Sequence, residues 1–401
     1  MKENYYKEGA WWASPYNEKE EVQKAALPHK QIELHDATLR DGEQTPGVVF
    51  TTKEKVEIAE KLVAAGVTRI EAGMPAVSEA DELAIKQIVK DLPEAKVYAF
   101  ARAARSDIDM AVDCGATGVV IEVPIGYPKL VHQFHWTWEK VFEKSADCIN
   151  YAKQQGLKAV YFPYDATRAR EEDLENLIGA IMRDAKPDSI GVVDTMGCAL
   201  PETIQYMVRW YKSMTNGLPI EVHTHNDFGM AVASELAGAA AGAEVLHTCV
   251  NGLGERTGNA ALEELILAMN ILMGVETPYR MDKLMDLCKT VERLSGIPCA
   301  KNKPFVGERN YTRESGIGVD LVMKEPLAMF ATDPRYFGRT ASVVLGKKSG
   351  KLSIHYHLDR LKIAATDEQV AEILAQVKQL GIEKKRLLTE DEFLKIVHKC
   401  L

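Results

Sequence analysis

Eight short β-branched runs, each followed by an amphipathic stretch at helical spacing, alternate strictly between residues 31 and 275. The predicted strands are Gln31–Leu34, Val67–Ala72, Lys96–Phe100, Gly118–Val123, Lys158–Phe162, Ser189–Val193, Ile220–His225 and Val245–Val250. Helices are predicted to begin near Thr52, Ser78, Ser106, Thr137, Arg170, Pro201, Gly229 and Asn259. Several starts carry first-turn chemistry: Ser78 precedes Glu79, and Pro201 precedes Glu202. A helix between consecutive strands makes them parallel, and parallel strands are covered on both faces. Eight such units match a closed α/β barrel of the (β/α)8 type. A doubly wound open sheet uses the same units, but the count and the absence of a first-turn G-x-G-x-x-G favour the barrel. In a barrel the chemistry belongs at the C-terminal ends of the strands.

The flanks read differently. Residues 1–30, with Trp11, Trp12, Pro15 and Tyr16, are expected to form an N-terminal arm that packs on another surface. Residues 31–275 are the expected catalytic barrel and 276–401 a mainly helical C-terminal appendage. Its predicted helices are Met281–Ser295, Thr366–Leu380 and Thr389–His398, and Ser315–Asp320 reads as a turn. The net charge of −9 argues against binding to nucleic-acid backbones, which need a basic face. No apolar run approaches the roughly 20 residues of a membrane helix, and the first twelve residues lack the apolar centre of a secretory signal. Seven cysteines, never spaced C-x-x-C, speak against a disulfide framework or structural zinc and for a reduced, cytoplasmic location.

Polar residues crowd the predicted strand ends. Strand seven closes on His223-Thr224-His225, and residues two apart on a strand face the same way. Two imidazoles at a barrel mouth, joined by a carboxylate, make an open metal site; two hydrogen-bonded core histidines are the plainer alternative. After strand one come Arg40, Asp41 and Gln44. Asp41 is a candidate hard oxygen ligand or, alternatively, a helix cap, and Arg40 beside a metal suits a developing alkoxide. After strand eight, Gly252, Gly254 and Gly258 allow close backbone approach around Glu255, Arg256 and Asn259. Glu255 and Arg256 are also compatible with an internal ion pair. Thr195, at the end of strand six, is placed to hold a substrate carboxylate or to cap.

Four segments in order, Leu34–Gly47, Asp194–Pro201, His223–Ala231 and Asn251–Leu265, resemble the metal-dependent barrel superfamily of 2-isopropylmalate synthase, homocitrate synthase and 3-hydroxy-3-methylglutaryl-CoA lyase. The synthase branch is the more similar one, because the lyase branch carries a cysteine in the loop that here reads Asn251–Asn259. The resemblance implies Asp41, His223 and His225 as ligands of a divalent metal (Mg2+, Mn2+ or Zn2+), with Asn259 as a further or supporting ligand. It implies that Arg40 polarises a ketone, that Thr195 binds a 2-oxo-acid carboxylate, and that Gln44, Glu71 and Arg102 line the substrate pocket. The implied reaction is a Claisen-type condensation of acetyl-CoA with a 2-oxo acid, in a homodimer.

Two departures from the family pattern bear on that reaction. Where the synthases place a base histidine in the appendage, this chain has Gly318, with Arg313 at an earlier histidine position. Where strand five usually carries an acid, it has Tyr164. Glu314, Glu255 or Tyr311, or His355 and His357, are the candidates to take over the base's role. A metal-dependent lyase or aldolase, or a non-catalytic relative, are the alternative functions.

Overall fold

The computed structural model describes residues 4–27 and 31–401. Eight parallel strands close into a barrel in chain order, the last pairing with the first. They are β1 (Glu33–Asp36), β2 (Arg69–Gly73), β3 (Lys96–Arg102), β4 (Gly118–Pro124), β5 (Lys158–Tyr164), β6 (Ser189–Asp194), β7 (Ile220–Thr224) and β8 (Val245–Thr248). All eight predicted strands are present, and the differences lie at their ends. Strands β3, β4 and β5 continue to Arg102, Pro124 and Tyr164, since backbone pairing persists past the point where side chains stop being apolar. Strand β8 stops at Thr248 rather than Val250, because the chain turns into a 3-10 segment at Val250–Gly252.

The helices cover the barrel as their apolar spacing requires. Thr51 caps Thr52–Ala64 in a reciprocal capping box with Glu54, and Ser78 caps Glu79–Asp91. Inside the barrel, Tyr98, Phe100, Val120, Val160, Phe162 and Val193 form one buried cluster. Every one of these is an alternate strand position, so the sequence parity of β3, β4, β5 and β6 decides which side chains face the axis.

The chain divides into two compact units: Tyr16–Cys299, and Ala300–Leu401 together with the chain up to Pro15. Residues 1–3 and 28–30 of the expected arm, including its boundary at residue 30, lie outside the described residues. The early part of the arm packs within the second unit. Trp12 N–H donates to Ala331 O, Asp333 N–H donates to Ala10 O, and the Trp11 ring meets Tyr336 edge-on. The helix Met281–Ser295 packs against Thr52–Ala64 within the barrel unit.

The second unit is built on three helices, Lys351–Leu361, Asp367–Lys384 and Glu390–Cys400, around Ile354, Leu358, Val370, Ile373 and Phe393. The latter two helices match the expected pair, capped by Thr366 and Thr389. The first was not expected; its Ile354, Leu358 and Leu361 have helical spacing, but its Ser353–His357 stretch is mostly polar. The expected turn at Ser315–Asp320 runs into a short helix, Val319–Lys324, with Gly318 at its start.

Candidate metal and substrate site

The segment after β1 returns Arg40 and Asp41 into the barrel mouth, where both are buried. Arg40 is held on three sides. Its Nε donates to Glu71 Oε1 at 2.5 Å, and its Nη1 to Asp41 Oδ2 at 3.1 Å and Gln44 Oε1 at 3.2 Å. The guanidinium also lies 4.4 Å from the centroid of the Phe100 ring. Burial disfavours its charge, but Glu71 and Asp41 outweigh that and keep it firmly protonated.

Asp41 is the junction of the site. Its Oδ2 stands 3.5 Å from His223 Nε2 and 3.7 Å from His225 Nε2, and its Oδ1 accepts from the Asn259 amide at 3.0 Å. Burial alone would raise its pKa; Arg40 and the two histidines overcome this and hold the carboxyl well below the usual range. Gly254 makes the arrangement possible. At φ +143° it carries no Cβ, and one there would lie 2.2 Å from Asn259 Nδ2 and 3.0 Å from Asp41 Oδ1.

The donor set fits a divalent cation. One ligand-type atom from each of Asp41, His223 and His225 lies within 4.8 Å of the others. The carboxylate–imidazole separations are long for hydrogen bonds, and near the ~3.4 Å edge of a tetrahedron whose ligands sit about 2.1 Å from an ion. Burial pushes His225 down to about 4, so its imidazole is neutral at pH 7, as a ligand must be. Asn259 Oδ1 is buried without a partner beside them.

A second tier of polar groups lies on the barrel axis. His35 Nε2 bonds Glu71 Oε2 at 3.1 Å, and His247 Nε2 bonds Glu221 Oε2 at 2.7 Å. The two imidazoles stack with centroids 4.2 Å apart. Arg69 Nη2 donates to Glu221 Oε1 at 2.6 Å, and Ser189 Oγ donates to the same oxygen. Arg40–Glu71–His35 is thus mirrored by Arg69–Glu221–His247, each carboxylate shared by a guanidinium and an imidazole. Burial drives both histidines toward the neutral form, His247 to about 3. His35, Glu221 and His247 also bring ligand-type atoms together, yet Arg69 already neutralises Glu221, so this group is a hydrogen-bonded core rather than a second cation site.

Sequence reasoning did not single out His35, Glu221, His247 or the β4 residue Glu122. The available signal was an ionisable side chain at an inward parity of a strand that is otherwise apolar. Of the residues it did name, the barrel unit brings Arg40, Asp41, Gln44, Glu71, His223, His225 and Asn259 together. Thr195 is buried nearby in chain and fold, its Oγ1 accepting the Asp165 N–H at 2.9 Å and its carbonyl accepting from Arg256. Arg102 turns outward into a two-pronged pair with Asp107. Glu255 is exposed, 3.6 Å from Arg256, which is itself committed to Asp227. Glu314 belongs to the second unit, where it accepts the Lys348 N–H at 3.0 Å. Gly318 has φ +77°, a conformation strained for any L side chain, while the Met329 thioether end that a Cβ there would meet can move aside.

Family models match two stretches: HMGL-like over residues 31–291, and homocitrate synthase post-HMGL domain-like over residues 305–385. Homocitrate synthase AksA of Methanocaldococcus jannaschii is 39% identical over 98% of this chain and 95% of its own. The probable 2-isopropylmalate synthase of Ignicoccus hospitalis is 37% identical over 93% of each. The putative (R)-citramalate synthase CimA of Archaeoglobus fulgidus is 40% identical over 90% of this chain and 74% of its own. Among solved structures, the HMG-CoA lyase of Bacillus subtilis superposes with a TM-score of 0.61 at 18% identity, over 70% of this chain and 98% of that one. That likeness concerns the barrel fold alone. With the barrel closed, the Asp41–His223–His225 cluster at its mouth and family matches along most of its length, the chain belongs to the HMGL-like family and, by its nearly full-length relatives, to its synthase members.

Proposed function

We propose that this protein condenses an acyl-CoA, acetyl-CoA in the first instance, with a 2-oxo acid to give a 2-hydroxy di- or tricarboxylate. The observation that carries the reading is the convergence of Asp41, His223 and His225 beside the charged Arg40 guanidinium. The names of the relatives, homocitrate, 2-isopropylmalate and citramalate synthases, support the same reaction class.

Asp41, His223 and His225 would hold the divalent cation, with Asn259 orienting Asp41. When bound, that ion supplies Lewis acidity toward the carboxylate and keto oxygens of the 2-oxo acid. The chain's own residues do the rest. Arg40 has N–H groups fixed by Glu71, Asp41 and Gln44, so it offers a preorganised positive charge to an alkoxide as it develops. The Thr195 hydroxyl accepts from Asp165 and so has its own proton to donate to the substrate carboxylate. Gln44 accepts from Arg40 through its oxygen, which leaves its amide protons for the ligand. The family resemblance gives Arg102 to the substrate pocket, whereas Glu255 and Glu314 are only candidates to replace the family's base histidine; Glu255 is exposed beside Arg256 and Glu314 accepts the Lys348 N–H. A homodimer belongs to the same proposal and is tested by light scattering.

The test is thiol release from acetyl-CoA with pyruvate, oxaloacetate, 2-oxoglutarate or 2-oxoisovalerate in the presence of Mg2+, Mn2+ or Zn2+. Release with at least one acid, abolished by chelation, is expected. Metal-dependent cleavage of a 3-hydroxy acid or its CoA ester, without thiol release, would overturn the reading in favour of a lyase. Metal binding without turnover on a broad panel would leave a non-catalytic relative. His225→Ala is expected to lower Mn2+ affinity at least tenfold by calorimetry, and unchanged affinity would sink the ligand assignment.

A further inference from the structure

Condensation needs a group that takes a proton from the acyl-CoA carbon. Glu122, near the end of β4, is a carboxylate that the structure leaves uncommitted. Val120 belongs to the inward-facing cluster with Phe100 and Phe162. Two residues further on, Glu122 takes the next inward position toward the barrel mouth. Its register neighbours are Arg102 on β3 and Phe162 on β5. The charged groups acting on it are Arg40 and Lys129, which attract it, and Asp41 and Glu71, which repel it.

Among the described residues none of them makes a hydrogen bond or close ion pair with the Glu122 carboxylate. Arg40 is engaged by Glu71, Asp41 and Gln44. Lys129 Nζ lies 3.8 Å from the centroid of the Tyr164 ring, and Arg102 is paired with Asp107. A half-buried carboxylate with only charge at a distance to support it is costly unless it has something to do. Burial pushes it up to about 7, which matches a group that exchanges protons near neutrality. The position also answers a gap. Tyr164 stands where the family pattern has an acid, and its register partner on β4 is Pro124, two residues past Glu122.

We propose that Glu122 is the general base of the condensation; this rests on the reaction proposed above. Its carboxylate takes a proton from the carbon next to the thioester carbonyl. The C–H electron pair forms the enolate double bond and the carbonyl π pair moves to the thioester oxygen. The oxygen pair re-forms the thioester carbonyl as the enolate C=C pair bonds to the keto carbon of the 2-oxo acid, the keto π pair becomes the alkoxide facing Arg40, and the alkoxide takes up the proton held by Glu122. Water hydrolyses the thioester and releases the CoA thiol.

The experiment compares wild type, Glu122→Gln and Glu122→Asp on the wild-type substrate pair, with Mn2+ affinity measured on each. The expected result is a kcat for Glu122→Gln lower by about 10²–10⁴-fold, with Mn2+ affinity and the 2-oxo-acid KM within threefold of wild type. Glu122→Asp, which keeps a carboxylate, should exceed Glu122→Gln at least tenfold. A Glu122→Gln kcat within threefold of wild type overturns the base, and so does a change confined to the KM of the 2-oxo acid. Equal losses in both variants mean that shape and not the proton matters, and overturn it too. Wild type that releases no thiol with any 2-oxo acid overturns the condensation reading and the base with it, a failure read on wild type alone.

Discussion

At the scale of single residues, the site depends on one missing side chain as much as on those present. Gly254 lets the backbone after β8 pass against Asp41 and Asn259 at a distance no Cβ tolerates, in a conformation that L side chains avoid. Gly254→Ala is therefore expected to push Asn259 off Asp41 and reduce Mn2+ affinity at least tenfold, while far-UV circular dichroism stays native. Calorimetry checks the affinity, and an unchanged value would show that the loop yields without disturbing the ligands. The importance of the glycines was readable as a pattern, but which of Gly252, Gly254 and Gly258 touches Asp41 and Asn259 was not. That depends on the path of the loop across the barrel mouth. Arg102 shows the converse. Its place at a strand end was legible, yet the partner five residues on, Asp107, decides that its guanidinium turns outward.

At the scale of elements, local chemistry did most of the work. Thr366 and Thr389 each open a helix in a reciprocal capping box, with Gln369 and Glu392, and both were visible as threonines before acidic first turns. Thr366→Ala should cost the C-terminal unit about 1 kcal/mol, measured as a shift in its urea midpoint; an unchanged midpoint would mean that packing through Val370 and Ile373 alone holds that helix. The barrel strands were legible for a related reason, since parallel strands are buried on both faces and read as apolar runs. Their ends were less so. Backbone pairing carries β4 one residue past the expected Val123 to Pro124, and takes β3 and β5 on to the polar Arg102 and Tyr164.

At the scale of the whole molecule, the closed barrel stacks two histidines on its axis and keeps them neutral. His247 is driven to about 3 and His35 is lowered, in both cases chiefly by burial. In the unfolded chain the same groups take up protons near pH 6.5. Between roughly pH 6.5 and 3 the unfolded state therefore binds more protons, and stability must fall as pH falls. Inside that window His247 contributes a slope of about 1.4 kcal/mol per pH unit, and His35 adds to the loss in the same direction. Urea unfolding of metal-free protein from pH 7 to pH 4.5 should show this loss, and His247→Gln should flatten it; an identical slope in the variant would remove His247 from the account.

The sequence by itself determined the eight-fold β/α rhythm, the helix caps and which strand ends carry Asp41, His223 and His225, because periodicity, capping and strand parity are local properties. Only the tertiary structure decided which inward-facing polar groups meet. Closure of the barrel sets His35 of β1 against His247 of β8, shares Glu71 between Arg40 and His35, and leaves Glu122 without a hydrogen-bonding partner among the described residues. Those encounters join residues as far apart as His35 and His247 in the chain, so they follow from the register and closure of the sheet and not from any pattern within a strand.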